Sequence, residues 1–220
     1  MSLVIFSCSP RSEGTSNTAA IASAFKDGYL SQAKEDVAIY YLFKRSEWDN
    51  YRKIFRKSTS IIIALPLFVE CIPGLLAEFL ESLIPKNPDE NKTKLSFILQ
   101  SGFEEACQLR TCEKYLEKLP SYLGCEYAGT LLKGGMFALS ITSEKNKKKM
   151  LEPFYNMGKV YAQEGFFDKE TVTKFAAPER YAKSTCLLIR LLSPLNAIAW
   201  KLMARKFGVN GKLDTRPFDV

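Results

Sequence analysis

Residues 2–18 read SLVIFSCSPRSEGTSNT, a short apolar run followed by a loop rich in hydroxyl side chains. The apolar run 2–8 has the composition of a buried strand, and apolar residues with helical spacing occupy 16–30 directly after the loop. A strand, a loop and a helix in this order form the first half of a βαβ unit. The start of the chain therefore predicts an α/β fold with a parallel sheet.

Strand and helix patterns continue to alternate along the chain. Apolar, β-branched or aromatic runs predict strands over 36–43, 59–65, 94–100 and 125–132. Helical spacing predicts helices over 47–57, 74–84, 104–119 and 144–164. Ser46 is placed to cap the helix that begins at residue 47. The alternation predicts a doubly wound, five-stranded parallel sheet with right-handed crossovers.

The composition excludes several kinds of catalytic site. The 220 residues include no histidine, so Ser-His-Asp and Cys-His catalysis and histidine-bound zinc are excluded. None of the six cysteines forms Cys-x-x-Cys, so the spacing of zinc ribbons and redox pairs is missing, and we predict no metal site. The first ten residues, MSLVIFSCSP, carry no basic segment and do not resemble a secretory signal, so we expect a reducing, cytoplasmic compartment.

The positive charge of the chain is concentrated near its C-terminus. Residues 180–220 hold eight Lys or Arg residues against two Asp residues, a net +6 of the total +7, which leaves +1 for residues 1–179. A nearly neutral body predicts no nucleic-acid partner. We predict one domain over 1–175 and a basic, amphipathic helical extension over 176–220.

The apolar residues of this extension follow one helical face around residues 195–203. Pro194 interrupts the pattern, which predicts a kink or two helices, with Ser193 as a cap. The charge-free stretch 191–200 is ten residues, about half of a membrane span. Two uses stay open: the extension covers the active site or a dimer seam, or it contacts an anionic membrane surface peripherally.

The loop at 8–18 lies where ligands bind in open parallel sheets, at the carboxyl end of a strand. It has neither the Gly-x-Gly-x-x-Gly pattern of dinucleotide sites nor the P-loop pattern of nucleotidases. Its hydroxyls, the guanidinium of Arg11 and the free amides at the start of the helix are suited to one terminal phosphate. The alternative is that the hydroxyls only cap the helix and that Arg11 is solvated.

The stretch SPRSEGTSNTAAIASAF at 9–25 resembles the phosphate loop of the flavodoxin-like NAD(P)H-dependent FMN reductases and related flavoprotein oxidoreductases. The pattern of that family is Gly-Ser-x-Arg, a short gap and then Ser/Gly-Asn-Thr. Cys8 stands at the position of the first glycine. The resemblance implies that the FMN phosphate is bound by Ser9, Arg11, Ser16, Asn17 and Thr18.

Two further loops are similar to loops of that family. PLFVECIPG at 66–74 is similar to the loop that carries the flavin ring, which implies an apolar wall from Leu67 and Phe68 and backbone bonds from Phe68 and Val69. QSGFE at 100–104 is similar to the loop near the pyrimidine edge of the ring. The cofactor-binding residues implied here are Pro66, Leu67, Phe68, Val69, Ser101, Gly102 and Phe103. Without a flavin, these segments are a loop with core aromatics and an ordinary helix start.

The resemblance spans about 1–165 and implies a flavodoxin-like fold with a C-terminal helical extension. It also implies FMN as cofactor, NAD(P)H as electron donor and an oxidoreductase activity toward a quinone, a flavin, another small molecule or a protein. FMN supplies the redox chemistry, so no catalytic side chain is assigned. The family commonly forms homodimers, for which Phe103, Phe166 and Phe167 are candidate exposed aromatics.

Two other functions stay open at this stage. One is a flavodoxin-like electron carrier that binds no nicotinamide. The other is a non-catalytic interaction module that has lost the flavin.

Overall fold

The computed structural model of the chain describes residues 3–89 and 92–209. Its strands are β1 (Leu3–Ser7), β2 (Ala38–Tyr41), β3 (Ser60–Pro66), β4 (Lys94–Gln100) and β5 (Glu126–Lys133). They pair in parallel in the order β2-β1-β3-β4-β5. This is the strand order of flavodoxin-like sheets, which confirms the predicted fold class.

Eight α-helices are described in the same residues. They are α1 (Asn17–Leu30), α2 (Trp48–Lys57), α3 (Gly74–Glu81), α4 (Arg110–Tyr122), α5 (Glu144–Glu164), α6 (Lys169–Ala176), α7 (Lys183–Leu191) and α8 (Ser193–Lys206). The central strands β3 and β4 are buried except at their first residues, because helices cover both faces of the sheet.

The helices α1 and α5 pack against each other with their backbones in close approach. A Cβ atom added to Gly28 would lie 1.8 Å from the carbonyl oxygen of Tyr155. A Cβ atom added to Gly158 would lie 2.1 Å from the carbonyl oxygen of Phe25. Glycine at both positions therefore allows α1 to lie in close contact with α5, the last long helix of the body.

The structure corrects the predictions for Ser46 and Phe167 and adds a short helix that was not predicted. Ser46 does not cap α2, because it lies inside the 3₁₀ turn Arg45–Glu47 that precedes the helix, and no side chain caps α2. The short helix α6 was not predicted; Asp168 caps it by accepting a hydrogen bond from the backbone N–H of Thr171 at 2.9 Å. Phe167 is 5% exposed, because it packs against Phe25 and Tyr161 in the core, and so it is not a surface aromatic.

The described residues divide into two compact units, one that runs through Arg180 and one that begins at Tyr181. The second unit contains α7 and α8, which meet at Leu192 with a bend of 60°. The predicted break near Pro194 is confirmed, with Pro194 in the first turn of α8 and Ser193 inside the helix rather than at the cap. The predicted extension beyond residue 209 lies outside the described residues.

Candidate functional site

A cavity of about 160 Å³ opens at the carboxyl ends of β1, β3 and β4. The sheet order reverses between β1 and β3, which is the position where open α/β sheets bind ligands. The predicted cofactor-binding residues that line this cavity are Ser9, Arg11, Asn17, Thr18, Pro66, Leu67, Phe68, Ser101 and Gly102. The other lining residues are Pro10 and Gln100, which lie in the predicted loops but were not named as cofactor-binding, and Phe137, which the sequence did not indicate.

One end of the cavity is polar and carries a positive charge. The buried hydroxyl oxygen of Ser9 accepts a hydrogen bond from the backbone N–H of Arg11 at 3.2 Å. The buried hydroxyl oxygen of Thr18 accepts a hydrogen bond from the Gln100 side chain at 3.3 Å. Both hydroxyl groups retain their own proton for donation to a ligand.

The start of α1 adds backbone donors at this polar end. The Ser16 hydroxyl accepts a hydrogen bond from the backbone N–H of Ala19 at 3.1 Å, so it caps the helix and is not a lining group. The N–H groups of Asn17 and Thr18 have no carbonyl partner within the helix, because they lie in its first turn. The helix dipole and the guanidinium of Arg11 both favour an anion here.

Asn17 joins this helix start to the turn that follows β5. Its side-chain nitrogen donates to the carbonyl oxygen of Met136 at 2.9 Å, and its side-chain oxygen accepts from the Ser140 hydroxyl at 3.1 Å. Both partners belong to the 3₁₀ turn Met136–Ser140. Phe137 in this turn lines the cavity, so Asn17 holds a segment that lies far away along the sequence.

The opposite end of the cavity is apolar. Its wall contains Pro66, Leu67, Phe68 and Phe137. The backbone N–H of Leu67 donates to the carbonyl oxygen of Gln100 at 2.7 Å, which ties the loop after β3 to the end of β4. The cavity thus combines anion-binding groups from the loop after β1 and the start of α1 with an apolar wall from the loop after β3 and from Phe137.

The loop after β3 makes a tight turn over Phe68–Cys71. The backbone N–H of each of these two residues donates to the carbonyl oxygen of the other at 3.0 Å. Val69 and Glu70 between them have φ of 47° and 64°, as in a type I′ turn. The N–H of Phe68 is therefore already bonded within the turn, contrary to the expectation that it faces a ring. The Val69 side chain is 99% exposed and does not line the cavity.

The loop after β4 is held by its own backbone. The Ser101 hydroxyl donates to the carbonyl oxygen of Phe103 at 2.9 Å, and the Ser101 carbonyl accepts from the N–H of Met136 at 2.9 Å. The Phe103 ring is 73% exposed and is not a lining group. A Cβ atom at Gly102 would make only an ordinary contact, 3.5 Å from the Cβ of Phe137.

The side chains of Ser7 and Cys8 are buried in the protein. The Cys8 thiol is fully buried, lies 3.6 Å from the carbonyl oxygen of Phe6 and does not line the cavity. Burial raises the pKa of this thiol well above its ordinary value. The Ser7 hydroxyl is also buried and has no hydrogen-bond partner among the described residues. A side chain at position 8 therefore leaves the polar end of the cavity open.

Within residues 3–89 and 92–209, no group of three Cys, Asp or Glu side chains is placed to hold a metal ion. The polar chemistry of the cavity thus comes from hydroxyls, amides and one guanidinium.

Neither a protein-family model nor a curated protein sequence matches this chain. Solved structures do match it. An NADH:FMN oxidoreductase in its apo form aligns with a TM-score of 0.57 at 14% identity over 81% of this chain and 96% of its own. The FMN-dependent NADH-azoreductase of Bacillus anthracis, solved with FMN, aligns with a TM-score of 0.55 at 14% identity over 76% of this chain and 99% of its own.

A third similar structure is the NAD(P)H:quinone oxidoreductase of Methanothermobacter marburgensis. It aligns with a TM-score of 0.50 at 12% identity over 72% of this chain and 96% of its own. At this level of identity the likeness shows a shared fold, and it agrees with the flavodoxin-like order of the sheet.

Proposed function

We propose that this protein is an FMN-dependent oxidoreductase that takes hydride from NAD(P)H and passes electrons to a small-molecule acceptor. The observation that carries the proposal is the division of the cavity into an anion-binding end at the start of α1 and an apolar end at Leu67, Phe68 and Phe137. A flavin mononucleotide has the same division, with one terminal phosphate and one flat ring.

The residues of the polar end fit a single phosphate. The N–H groups of Asn17 and Thr18 begin α1, and the hydroxyls of Ser9 and Thr18 line the same end of the cavity. Arg11 supplies a charge-assisted hydrogen bond to a phosphate oxygen. The dinucleotide pattern is missing from this loop, which favours a mononucleotide over NAD or FAD as the resident group.

The residues of the apolar end fit a flat ring. Leu67 and Phe68 form one wall, and Phe137 belongs to a turn that Asn17 holds in place. When bound, FMN supplies the hydride and electron transfer, while the chain positions the ring and excludes water from the covered face. No side chain of this cavity is required as an acid or a base.

The names of three proteins whose solved structures share this fold support the proposal. They are an NADH:FMN oxidoreductase, an FMN-dependent NADH-azoreductase and an NAD(P)H:quinone oxidoreductase. A quinone or an azo compound is therefore the acceptor class that we propose to test first.

We also propose that the protein works in the cytoplasm as a homodimer. Phe103 beside the cavity is 73% exposed and Phe166 is 40% exposed, so both are available to a second subunit. Light scattering at micromolar concentration measures the subunit number, and a monomer would contradict this assembly.

The deciding experiment is an anaerobic titration of the purified protein. We expect a yellow eluate, or tight binding of added FMN, followed by bleaching of the flavin absorbance by NADH or NADPH and its recovery on addition of a quinone or an azo dye. A flavin that neither nucleotide bleaches would favour an electron carrier. A protein that binds no FMN would favour an interaction module and would overturn the proposal.

A further inference from the structure

We propose that the helix pair α7–α8 is a docking surface for anionic lipid bilayers. This inference concerns the second unit by itself and does not depend on a bound flavin. Four observations carry it: the sign of the charges on the two helices, the exposure of their apolar side chains, the place of their aromatic residues and the length of each helix.

All charged residues of the described second unit are cationic. Residues 181–209 contain five Lys or Arg residues and no Asp or Glu. Lys183 and Arg190 lie on α7, and Lys201 and Arg205 lie on α8. Basic residues at a membrane surface bind the phosphate groups of anionic lipids.

The apolar residues of the same helices are exposed along their whole length. Their exposed fractions lie between 42% and 69%, for Leu187, Leu188, Ile189, Leu191, Leu192, Leu195, Ile198, Trp200, Leu202, Phe207 and Val209. Such an area is larger than the scattered apolar residues of an ordinary surface. Exposed apolar residues and basic residues on one helix pair supply the two interactions by which interfacial segments bind anionic membranes, burial of apolar area and attraction to lipid headgroups.

The aromatic residues occupy the second half of the pair. Trp200 and Phe207 are each 59% exposed on or directly after α8. Aromatic side chains are enriched at the level of the lipid headgroups, where a flat, amphipathic ring contacts both water and acyl chains. This placement fits a helix whose C-terminal half lies in the headgroup layer.

Charge complementarity favours a lipid surface over a second copy of this chain. Residues 1–179 carry a net charge of only +1, and the helix pair itself is entirely cationic. An anionic bilayer offers Lys201 and Arg205 a net negative charge, which neither the sum over residues 1–179 nor the helix pair has.

The helix lengths favour docking on the surface of the bilayer. In the described part of the chain, no single helix is long and apolar enough to cross a membrane. The pair Lys183–Leu191 and Ser193–Arg205 reaches the required length and composition only when both helices are taken together, across the 60° bend. Two short helices joined at an angle fit an interfacial segment whose apolar residues enter the acyl boundary.

The test is flotation of the full-length protein with vesicles. One set contains phosphatidylcholine with about one third phosphatidylglycerol, and the other contains phosphatidylcholine alone. We expect flotation with the anionic vesicles only, release by high salt, and a blue shift of the tryptophan fluorescence. That shift reports on Trp200, because the other tryptophan, Trp48, is 7% exposed in the core of the first unit.

Matched charge variants separate this surface from general basicity. Lys201→Glu with Arg205→Glu should weaken vesicle binding by on the order of 30-fold or more. Lys148→Glu with Lys149→Glu changes the net charge by the same amount on exposed residues of α5, and should leave binding within about twofold. An equal loss of vesicle binding in both double variants would overturn the proposal.

An apolar variant separates lipid from protein as the occupant. Ile198→Ser with Leu202→Ser should weaken vesicle binding at least tenfold while the subunit number stays constant. If this variant instead converts an oligomer into monomers, a second copy covers the helices and the proposal is wrong. Binding to phosphatidylcholine alone, resistance to an alkaline carbonate wash, or no flotation of the wild-type protein would also overturn it.

Discussion

The side-chain nitrogen of Asn17 lies 2.9 Å from the carbonyl oxygen of Met136 and donates a hydrogen bond to it. The two residues are 119 positions apart in the sequence. The bond links the first turn of α1, which forms the anion-binding end of the cavity, to the turn that carries Phe137 at the apolar end. One side chain thus joins the anion-binding half of the candidate site to the turn that carries Phe137.

Replacing Asn17 tests this link. We expect Asn17→Ala to lower the free energy of unfolding by about 1–2 kcal/mol, since it removes one bond from a partly buried carbonyl and one from Ser140. FMN binding should weaken as well, because the turn that carries Phe137 loses its side-chain bonds to the start of α1. The control is Ser140→Ala, which removes only the exposed bond. Urea unfolding and FMN titration provide the two readouts, and equal effects of the two variants would contradict a special role for the bond to Met136.

Replacing Arg11 tests the phosphate assignment. We expect Arg11→Ala to weaken FMN binding by about 1.5–3 kcal/mol, the range for a hydrogen bond to a charged group. Riboflavin has no phosphate, so its affinity should be the same for the wild-type protein and the variant. The FMN affinity of Arg11→Lys should lie between those of the wild-type protein and Arg11→Ala, because lysine keeps the positive charge without the forked donors of arginine. The readout is quenching of flavin fluorescence, and riboflavin binding as tight as that of FMN would count against the assignment.

Replacing Gly158 tests the close packing of α1 on α5. We expect Gly158→Ala to lower the free energy of unfolding by at least about 2–3 kcal/mol, because the new methyl group would lie 2.1 Å from the Phe25 carbonyl oxygen. Gly14→Ala is the matched control, since no atom lies within 4 Å of its added Cβ. Urea unfolding of both variants measures the difference, and two similar midpoints would show that the helices separate without strain.

The turn after β3 offers a stabilising change. Val69 and Glu70 hold φ of 47° and 64°, a region that is costly for a β-branched residue. Val69→Asn with Glu70→Gly supplies the preferred type I′ pair and should raise the free energy of unfolding by about 1 kcal/mol. Glu70→Ala keeps an L side chain at positive φ and should not raise the free energy of unfolding. A double variant no more stable than the wild-type protein in thermal unfolding would show that the turn carries no strain.

The six cysteines should differ in how fast they react with a thiol-specific reagent. Burial raises the pKa of Cys112 and of Cys125 to about 11, and it raises the pKa of Cys8 well above its ordinary value. At pH 8 a pKa of 11 leaves roughly one thiol in a thousand as the reactive thiolate. We therefore expect fast labelling by a disulfide reagent at the exposed Cys71 and Cys186, much slower labelling at the half-buried Cys125, and labelling of the buried Cys8 and Cys112 only on unfolding.

Labelling of the folded protein at pH 8, followed by peptide mass spectrometry, checks this order. The double variant Cys71→Ser with Cys186→Ser should lose the fast phase. Its persistence would mean that one of the other thiols is reached in the folded state.

The sequence determined the strands and the edge of the sheet at which the cavity opens. The run at 94–100 coincides with β4, and the helical spacing at 144–164 coincides with α5. Both segments have long, regular apolar patterns, which depend on local periodicity and little on distant contacts. The short helix α6 has no such pattern, and its eight residues are stabilised mainly by the Asp168 cap and by packing on β5.

The tertiary structure alone decided which loop atoms face the cavity. Gln100 and Phe137 reach it because β4 and the turn after β5 end beside the start of α1, a neighbourhood that chain order does not reveal. The hydroxyl of Ser16 is of a suitable type but does not line the cavity, and the N–H of Phe68 is already bonded within its own turn. Local sequence determines which groups a loop contains, while strand register and competing hydrogen bonds determine which of those groups remain free for a ligand.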